Sequence, residues 1–119
     1  MPLILIIEDE ADMLSLFTLI VRRQYDRVIG ALSGTEAMSI LQQSSPDVIL
    51  LDLGLPDISG RDVLRYIRQA SHLRGTKVVV VTAFPDLVRF AQESMADRVL
   101  YKPFSASELL RVIQEILAS

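Results

Sequence analysis

The chain has 119 residues, the size of one domain, and half of them are hydrophobic, enough to bury a full core. A net charge of −3, a pI near 5.0 and the lack of any basic stripe argue against direct binding of nucleic acid, and the absence of cysteine excludes a disulfide framework or a thiolate metal site. The opening apolar run is too short for a secretory leader or a membrane span, so the expected setting is the cytoplasm, with no membrane partner.

Leu3–Ile7 is that first run, a strand candidate that stops at Glu8-Asp9-Glu10. Asp9 is placed to cap a helix in which Met13, Phe17, Ile20 and Val21 recur at helical spacing. Arg22 and Arg23 fit its solvated end, where positive charge suits the helix dipole. Val28–Gly30 is a second strand, and Ser33-Gly-Thr-Glu36 has the capping-box pattern of a second helix. Val48–Leu51 is a third apolar run that ends in Asp52 and a Gly-Leu-Pro turn. Ser59 with Asp62 is a weaker cap for a third helix, and His72, the only histidine, lies near its end and reads as structural. Lys77–Thr82 is the fourth strand. Asp86, after Pro85, reads as the cap of a fourth helix. Val99–Tyr101 is the fifth strand, and Ser105-Ala-Ser-Glu108 opens a last helix with Leu109, Ile113, Ile116 and Leu117 on one face. Continuous rather than alternating apolar strands suit a parallel sheet covered on both faces. Five strand–helix repeats with right-handed crossovers imply an α/β, doubly wound sheet.

In such a sheet, ligands bind at the carboxyl ends of the strands, at the switch point. Glu8 and Asp9 follow the first strand and Asp52 ends the third, so three carboxylates converge on one cleft. Unpaired, they repel and raise each other's pKa, and a divalent cation removes that cost. Oxygen donors without His or Cys favour Mg²⁺ over zinc, and Mg²⁺ keeps positions for water or phosphate oxygens. On acid spacing alone, Glu8 and Asp9 could equally just start a helix and favour its dipole. Thr82 and Lys102 tip the balance, because they end the fourth and fifth strands at the same edge. A hydroxyl and an ammonium beside three carboxylates complete a phosphate site, although each alone is an ordinary strand-end residue. Asp57, beyond Pro56, reads as a solvated turn residue.

Glu8-Asp9, Asp52-Leu-Gly-Leu-Pro56 with Gly60, Thr82-Ala83 and Lys102-Pro103-Phe104 form an ordered set that resembles the receiver domain of two-component response regulators over essentially all of residues 1–119. The resemblance implies a flavodoxin-like (CheY-like) fold of five parallel strands in the order 2-1-3-4-5 with five helices. It implies that Asp52 is the phosphoacceptor, attacking a phosphohistidine of a sensor histidine kinase or phosphotransfer protein. Glu8 and Asp9 would hold Mg²⁺ with Asp52 and the Gly54 backbone carbonyl. Lys102 would pair with the phosphoryl oxygens, and Thr82 would swing toward them. The fourth-helix, fifth-strand and fifth-helix face would be a possible homodimer surface.

Three departures stand out. Glu8 lies where the family often has Asp, so a water-mediated contact with the metal is expected. The stretch from Thr82 to Lys102 is about two residues short of the usual receiver length, with Met95 where a glycine is common. Val99 occupies the place of the switch aromatic. Tyr101 shares its face of the strand and either replaces the ring or simply packs; packing is the preferred reading. Phe84, Leu87, Val88, Phe90 and Ala91 are more apolar than one core stripe requires. Core packing is the plain account and a docking surface the sharper one.

The favoured function is a phosphorylatable signalling switch, not an enzyme beyond its own phosphotransfer and dephosphorylation. The alternative is a phosphorylation-independent interaction or dimerisation module on the same fold. A phosphohydrolase with an aspartyl-phosphate intermediate is disfavoured, because many carry a second acid where this chain has Gly54. The chain stops just after the fifth helix with no output domain, which fits a stand-alone receiver or a piece of a longer protein.

Overall fold

A computed structural model of the chain describes residues 1–54, 60–84 and 96–119. Five strands, β1 (Leu3–Ile7), β2 (Arg27–Ala31), β3 (Val48–Asp52), β4 (Lys77–Thr82) and β5 (Arg98–Tyr101), form one parallel sheet in the order β2-β1-β3-β4-β5. Among the described residues there are four α-helices: α1 (Ala11–Val21), α2 (Gly34–Gln43), α3 (Gly60–Gln69) and α4 (Ala106–Ala118). A 3₁₀ turn spans Ser71–Leu73. The sequence predicted one helix more; that stretch, with Asp86, Leu87, Val88, Phe90, Ala91 and Met95, lies outside the described residues, as do Pro56, Asp57 and Ser59.

Successive side chains of a strand point to opposite faces, and both faces are covered. Leu5, Ile7, Ile49, Leu51, Val78 and Val80 pack against Leu41 of α2 and Val63, Leu64 and Ile67 of α3. Ile4, Ile6, Val48, Leu50, Val79 and Val81 pack on the other side against Phe17, Ile20 and Val21 of α1 and Leu109, Ile113 and Ile116 of α4. This double covering is why the three central strands are apolar between their ends. The edge strand β2 is different: Val28 and Ala31 are buried, while Arg27 and Ile29 are exposed.

The predicted caps are realised unevenly. Ser105 and Glu108 form the full reciprocal box at the start of α4. Ser33 accepts from the Glu36 amide, but the Glu36 carboxylate reaches back to the Leu32 amide rather than to Ser33. Asp9 does not cap α1. Glu10 takes the N-cap position without a side-chain bond, which leaves the Asp9 carboxylate to the cleft.

At the amino-terminal edge of the sheet, polar bonds close the loops. Leu3 N donates to Asp47 Oδ2 at 2.7 Å, and Thr76 Oγ1 donates to the Pro46 carbonyl at 2.7 Å. His72 Nε2 lies 2.6 Å from the Leu41 carbonyl, and Ser45 Oγ donates to the His72 carbonyl at 2.9 Å. The lone histidine thus ties α2 to the 3₁₀ turn, a structural role. The opposite edge gathers three acids, Glu8, Asp9 and Asp52.

Candidate functional site

Strand register builds the site. Ile7 pairs with Leu51, so Glu8 and Asp52 come off β1 and β3 side by side. Asp52 pairs with Val81 and Thr82 pairs with Tyr101, which brings Thr82 and then Lys102 to the same carboxyl edge. Carboxylate oxygens of Glu8, Asp9 and Asp52 all lie within 4.8 Å of one another. Glu8 is 2% exposed, Asp52 is half-buried and Asp9 is open to solvent.

Each oxygen of Asp52 has a partner. Gly54 N donates to Oδ1 at 2.9 Å, and Lys102 Nζ lies 3.4 Å from Oδ2. The ammonium is closer to Glu8, at 2.6 Å from Oε1. The other Glu8 oxygen receives a long bond of 3.4 Å from the Glu10 amide. Burial drives the Glu8 carboxyl up from 4.5 to about 7, and its contact with Asp52 adds to the rise, while Lys102 pulls it back down. Burial alone would lower the Lys102 ammonium, but the hydrogen bond to Glu8 and the charges of Asp52 and Glu8 outweigh it and raise its pKa.

Three carboxylates facing one ammonium leave the ionised cleft with excess negative charge. A hard, all-oxygen donor set with that excess fits a divalent cation of the Mg²⁺ type. The residues present therefore suit such an ion.

Thr82 is buried at the end of β4. Its Oγ1 accepts from the Phe84 amide at 3.0 Å, so the hydroxyl is engaged by the loop that follows rather than by Asp52. Phe84 itself is 60% exposed, and the rest of this apolar stretch lies outside the described residues. Val99 packs against the α2–α3 face. Tyr101 is 51% exposed, so the packing expected of it is not what the fold gives it.

Two residues matter to the site in ways the motif alone did not assign. Phe104 stacks on Phe17 of α1, with ring centroids 5.2 Å apart, and so anchors the segment that carries Lys102. The signal was an aromatic two positions after the lysine. Gly60, the first residue of α3, lies against the backbone of Asp52 and Leu53, where a Cβ would come within 2.5 Å of Leu53 Cα. The Lys102–Pro103 peptide between site and anchor is cis.

An acidic cleft with a lysine, at the carboxyl edge of a 2-1-3-4-5 sheet, defines a class, and sequence comparison agrees. Residues 4–114 match the response regulator receiver domain, and the chain belongs to that family. It is 38% identical over 111 residues to the DNA-binding response regulator MtrA of Mycolicibacterium paratuberculosis, covering 90% of this chain and 47% of that protein. The chain thus spans about half the length of the MtrA relatives it matches. It is 30% identical over 117 residues to the polar-differentiation response regulator DivK of Brucella ovis, covering 96% of this chain and 94% of that one. Among solved structures, a CheY-like receiver domain from Methylobacillus flagellatus superposes with a TM-score of 0.87 at 27% identity, covering 98% of both chains. The response regulator DrrB of Thermotoga maritima superposes with a TM-score of 0.89 at 27% identity, covering 99% of this chain and 53% of that one. The chain is accordingly a module of two-component signalling. No helix of the described residues is long and apolar enough to cross a membrane.

Proposed function

We propose that residues 1–119 are a single receiver domain that takes a phosphoryl group onto Asp52 from a histidine kinase or phosphotransfer protein, in the cytoplasm, and changes conformation in response. One observation carries the reading: three carboxylates within 4.8 Å of one another at the sheet edge, with Lys102 Nζ 3.4 Å from Asp52.

The chemistry follows from the residues. An Asp52 carboxylate oxygen attacks phosphorus, the bond from phosphorus to the donor's imidazole nitrogen breaks, and the electron pair returns to that nitrogen. Little covalent work falls to the protein, so positioning and charge stabilisation dominate. Gly54 N fixes one Asp52 oxygen and leaves the carboxylate aimed from the strand end. Lys102 is placed to offer its charge to the phosphoryl oxygens. Glu8, Asp9, Asp52 and the Gly54 carbonyl would hold Mg²⁺, which when bound would neutralise charge on the transferring group. Phosphorylation leaves roughly −1.5 to −2 charges at Asp52, and Thr82 would turn its hydroxyl from Phe84 toward them. Exchanging that bond for one to the phosphoryl group is the event that would reshape the loop after β4.

The test is incubation with Mg²⁺ and acetyl phosphate followed by intact mass. The wild type gains one phosphoryl group and Asp52→Asn gains none. No gain in the wild type, or an equal gain in the variant, overturns the reading. The exposed Tyr101 and the aliphatic Val99 favour a second reading, in which the module binds partners or dimerises without regard to phosphorylation. Phosphorylation that leaves oligomeric state and partner binding unchanged would select it.

A further inference from the structure

Helix α1 has a second apolar stripe that the core does not use. Phe17, Ile20 and Val21 bury its inner side in the core shared with α4. On the outer side Asp12, Leu16, Leu19 and Arg23 follow one another at intervals of four, three and four, the spacing of one helix face. All four are exposed, Leu16 at 48% and Leu19 at 64%. The helix dipole accounts for the acid at the start and the arginine at the end. It does not account for two leucines in water between them. Among the described residues, neither Asp12 nor Arg23 has an ion-pair partner. Beside Leu19 a groove of about 390 Å³ opens between α1 and β2, with Leu14, Thr18 and Gly30 in its lining.

We propose that this face is a two-fold interface with a second copy of the chain, the two α1 helices running antiparallel. The pattern reads the same from either end with the charges exchanged. A two-fold axis at the level of Phe17 and Thr18 sets Asp12 opposite the partner's Arg23 and Leu16 opposite the partner's Leu19, and then repeats both pairings. This self-complementarity is what selects a second copy as the occupant. A parallel pair would set acid on acid and arginine on arginine. The groove beside Leu19 gives the partner's Leu16 a recess to enter. A single helix pair falls below the roughly 1,200 Å² of a standard interface, so association is weak and depends on concentration. It requires no chemistry at Asp52 and goes beyond the proposed function.

Sedimentation velocity of the full chain from micromolar to millimolar concentration, at low ionic strength, tests the interface. The wild type should pass from monomer to dimer. Leu19→Ser should weaken self-association by a factor on the order of ten, with unchanged circular dichroism because the side chain is exposed. Asp12→Arg and Arg23→Asp should each weaken it by roughly three- to tenfold, since each sets like charges opposite one another. Mixed in equal amounts, these two variants have complementary faces and should recover most of the wild-type affinity. A chain that stays monomeric throughout overturns the proposal and leaves the face to a different protein. A dimer that survives both Leu16→Ser and Leu19→Ser places the contact elsewhere and overturns it too. So does a mixture that associates no better than its components, because antiparallel pairing requires the rescue. None of these outcomes bears on the mass test at Asp52, which stands or falls separately.

Discussion

Replacing Gly60 by alanine should loosen the site from behind. The added Cβ would stand 2.5 Å from Leu53 Cα, 2.9 Å from the Asp52 carbonyl oxygen and 2.9 Å from Leu53 Cδ2. Comfortable separations between carbon atoms are about 3.5–4.0 Å, so the overlap with Leu53 Cα is on the order of 1 Å. Two of the three neighbours are backbone atoms and cannot rotate aside. Relief requires the start of α3 to back away from β3, or the Asp52–Leu53 backbone to shift. Overpacking of this kind costs about 1–3 kcal/mol. Against it, alanine is better than glycine in a helix by up to about 1 kcal/mol. The net expectation is a loss of about 1–2 kcal/mol, or roughly 5 °C in Tm for each kcal/mol in a domain of this size. Urea unfolding followed by circular dichroism measures it, with Gly75→Ala as reference because nothing lies within 4 Å of a Cβ there. Since neither glycine has a positive φ, the comparison isolates space from backbone conformation. Mg²⁺ affinity should fall alongside stability in Gly60→Ala, because the displaced backbone carries Asp52. A variant as stable as the wild type would refute the reasoning.

Phe104→Ala removes the stack on Phe17 and should cost about 2 kcal/mol in urea unfolding, less than a fully buried ring because Phe104 is only partly covered. Ser105→Ala breaks the capping box of α4 and should cost about 1 kcal/mol, while Ser105→Asp keeps most of the stability; thermal melts separate the two. The raised Glu8 carboxyl makes metal-free stability depend on pH. The folded state holds a proton that the unfolded chain releases near 4.5, so this contribution is complete below 4.5 and is lost as pH rises through about 7. At about 1.36 kcal/mol per pKa unit the loss is at most about 3 kcal/mol. Urea midpoints without Mg²⁺ should fall between about pH 5 and about pH 8 in the wild type, and fall less in Glu8→Gln.

The strand positions and the meeting of Glu8, Asp9, Asp52, Thr82 and Lys102 at one sheet edge were legible in the sequence because they depend on pattern and register. Apolar runs fix which segments become buried strands, and parallel pairing then brings their ends together. Contacts that depend on the reach of one side chain were not legible. The Glu8 methylene was expected to alter the distance to a metal; it also carries the carboxylate to Lys102. Glu36 bonds to Leu32 rather than to Ser33, a difference of one residue that the box pattern does not encode. Strand alternation paired Tyr101 with the face of Val99, but it does not specify how far the ring is exposed, which is 51%. Gly60 was visible as a break and a motif residue, while the reason for it, the backbone of Leu53 against α3, is purely three-dimensional.

Two backbone amides at the site end on side chains that the chemistry needs for itself: Gly54 N on Asp52 Oδ1 and Phe84 N on Thr82 Oγ1. A phosphoryl group on Asp52 and a rotation of the Thr82 hydroxyl would each change the acceptor that one of these amides faces. The resonances and hydrogen-exchange rates of Gly54 and Phe84 are therefore native reporters, one for the carboxylate and one for the hydroxyl. Read together on the unmodified chain, they tell capture of the signal at Asp52 apart from its onward transmission through Thr82.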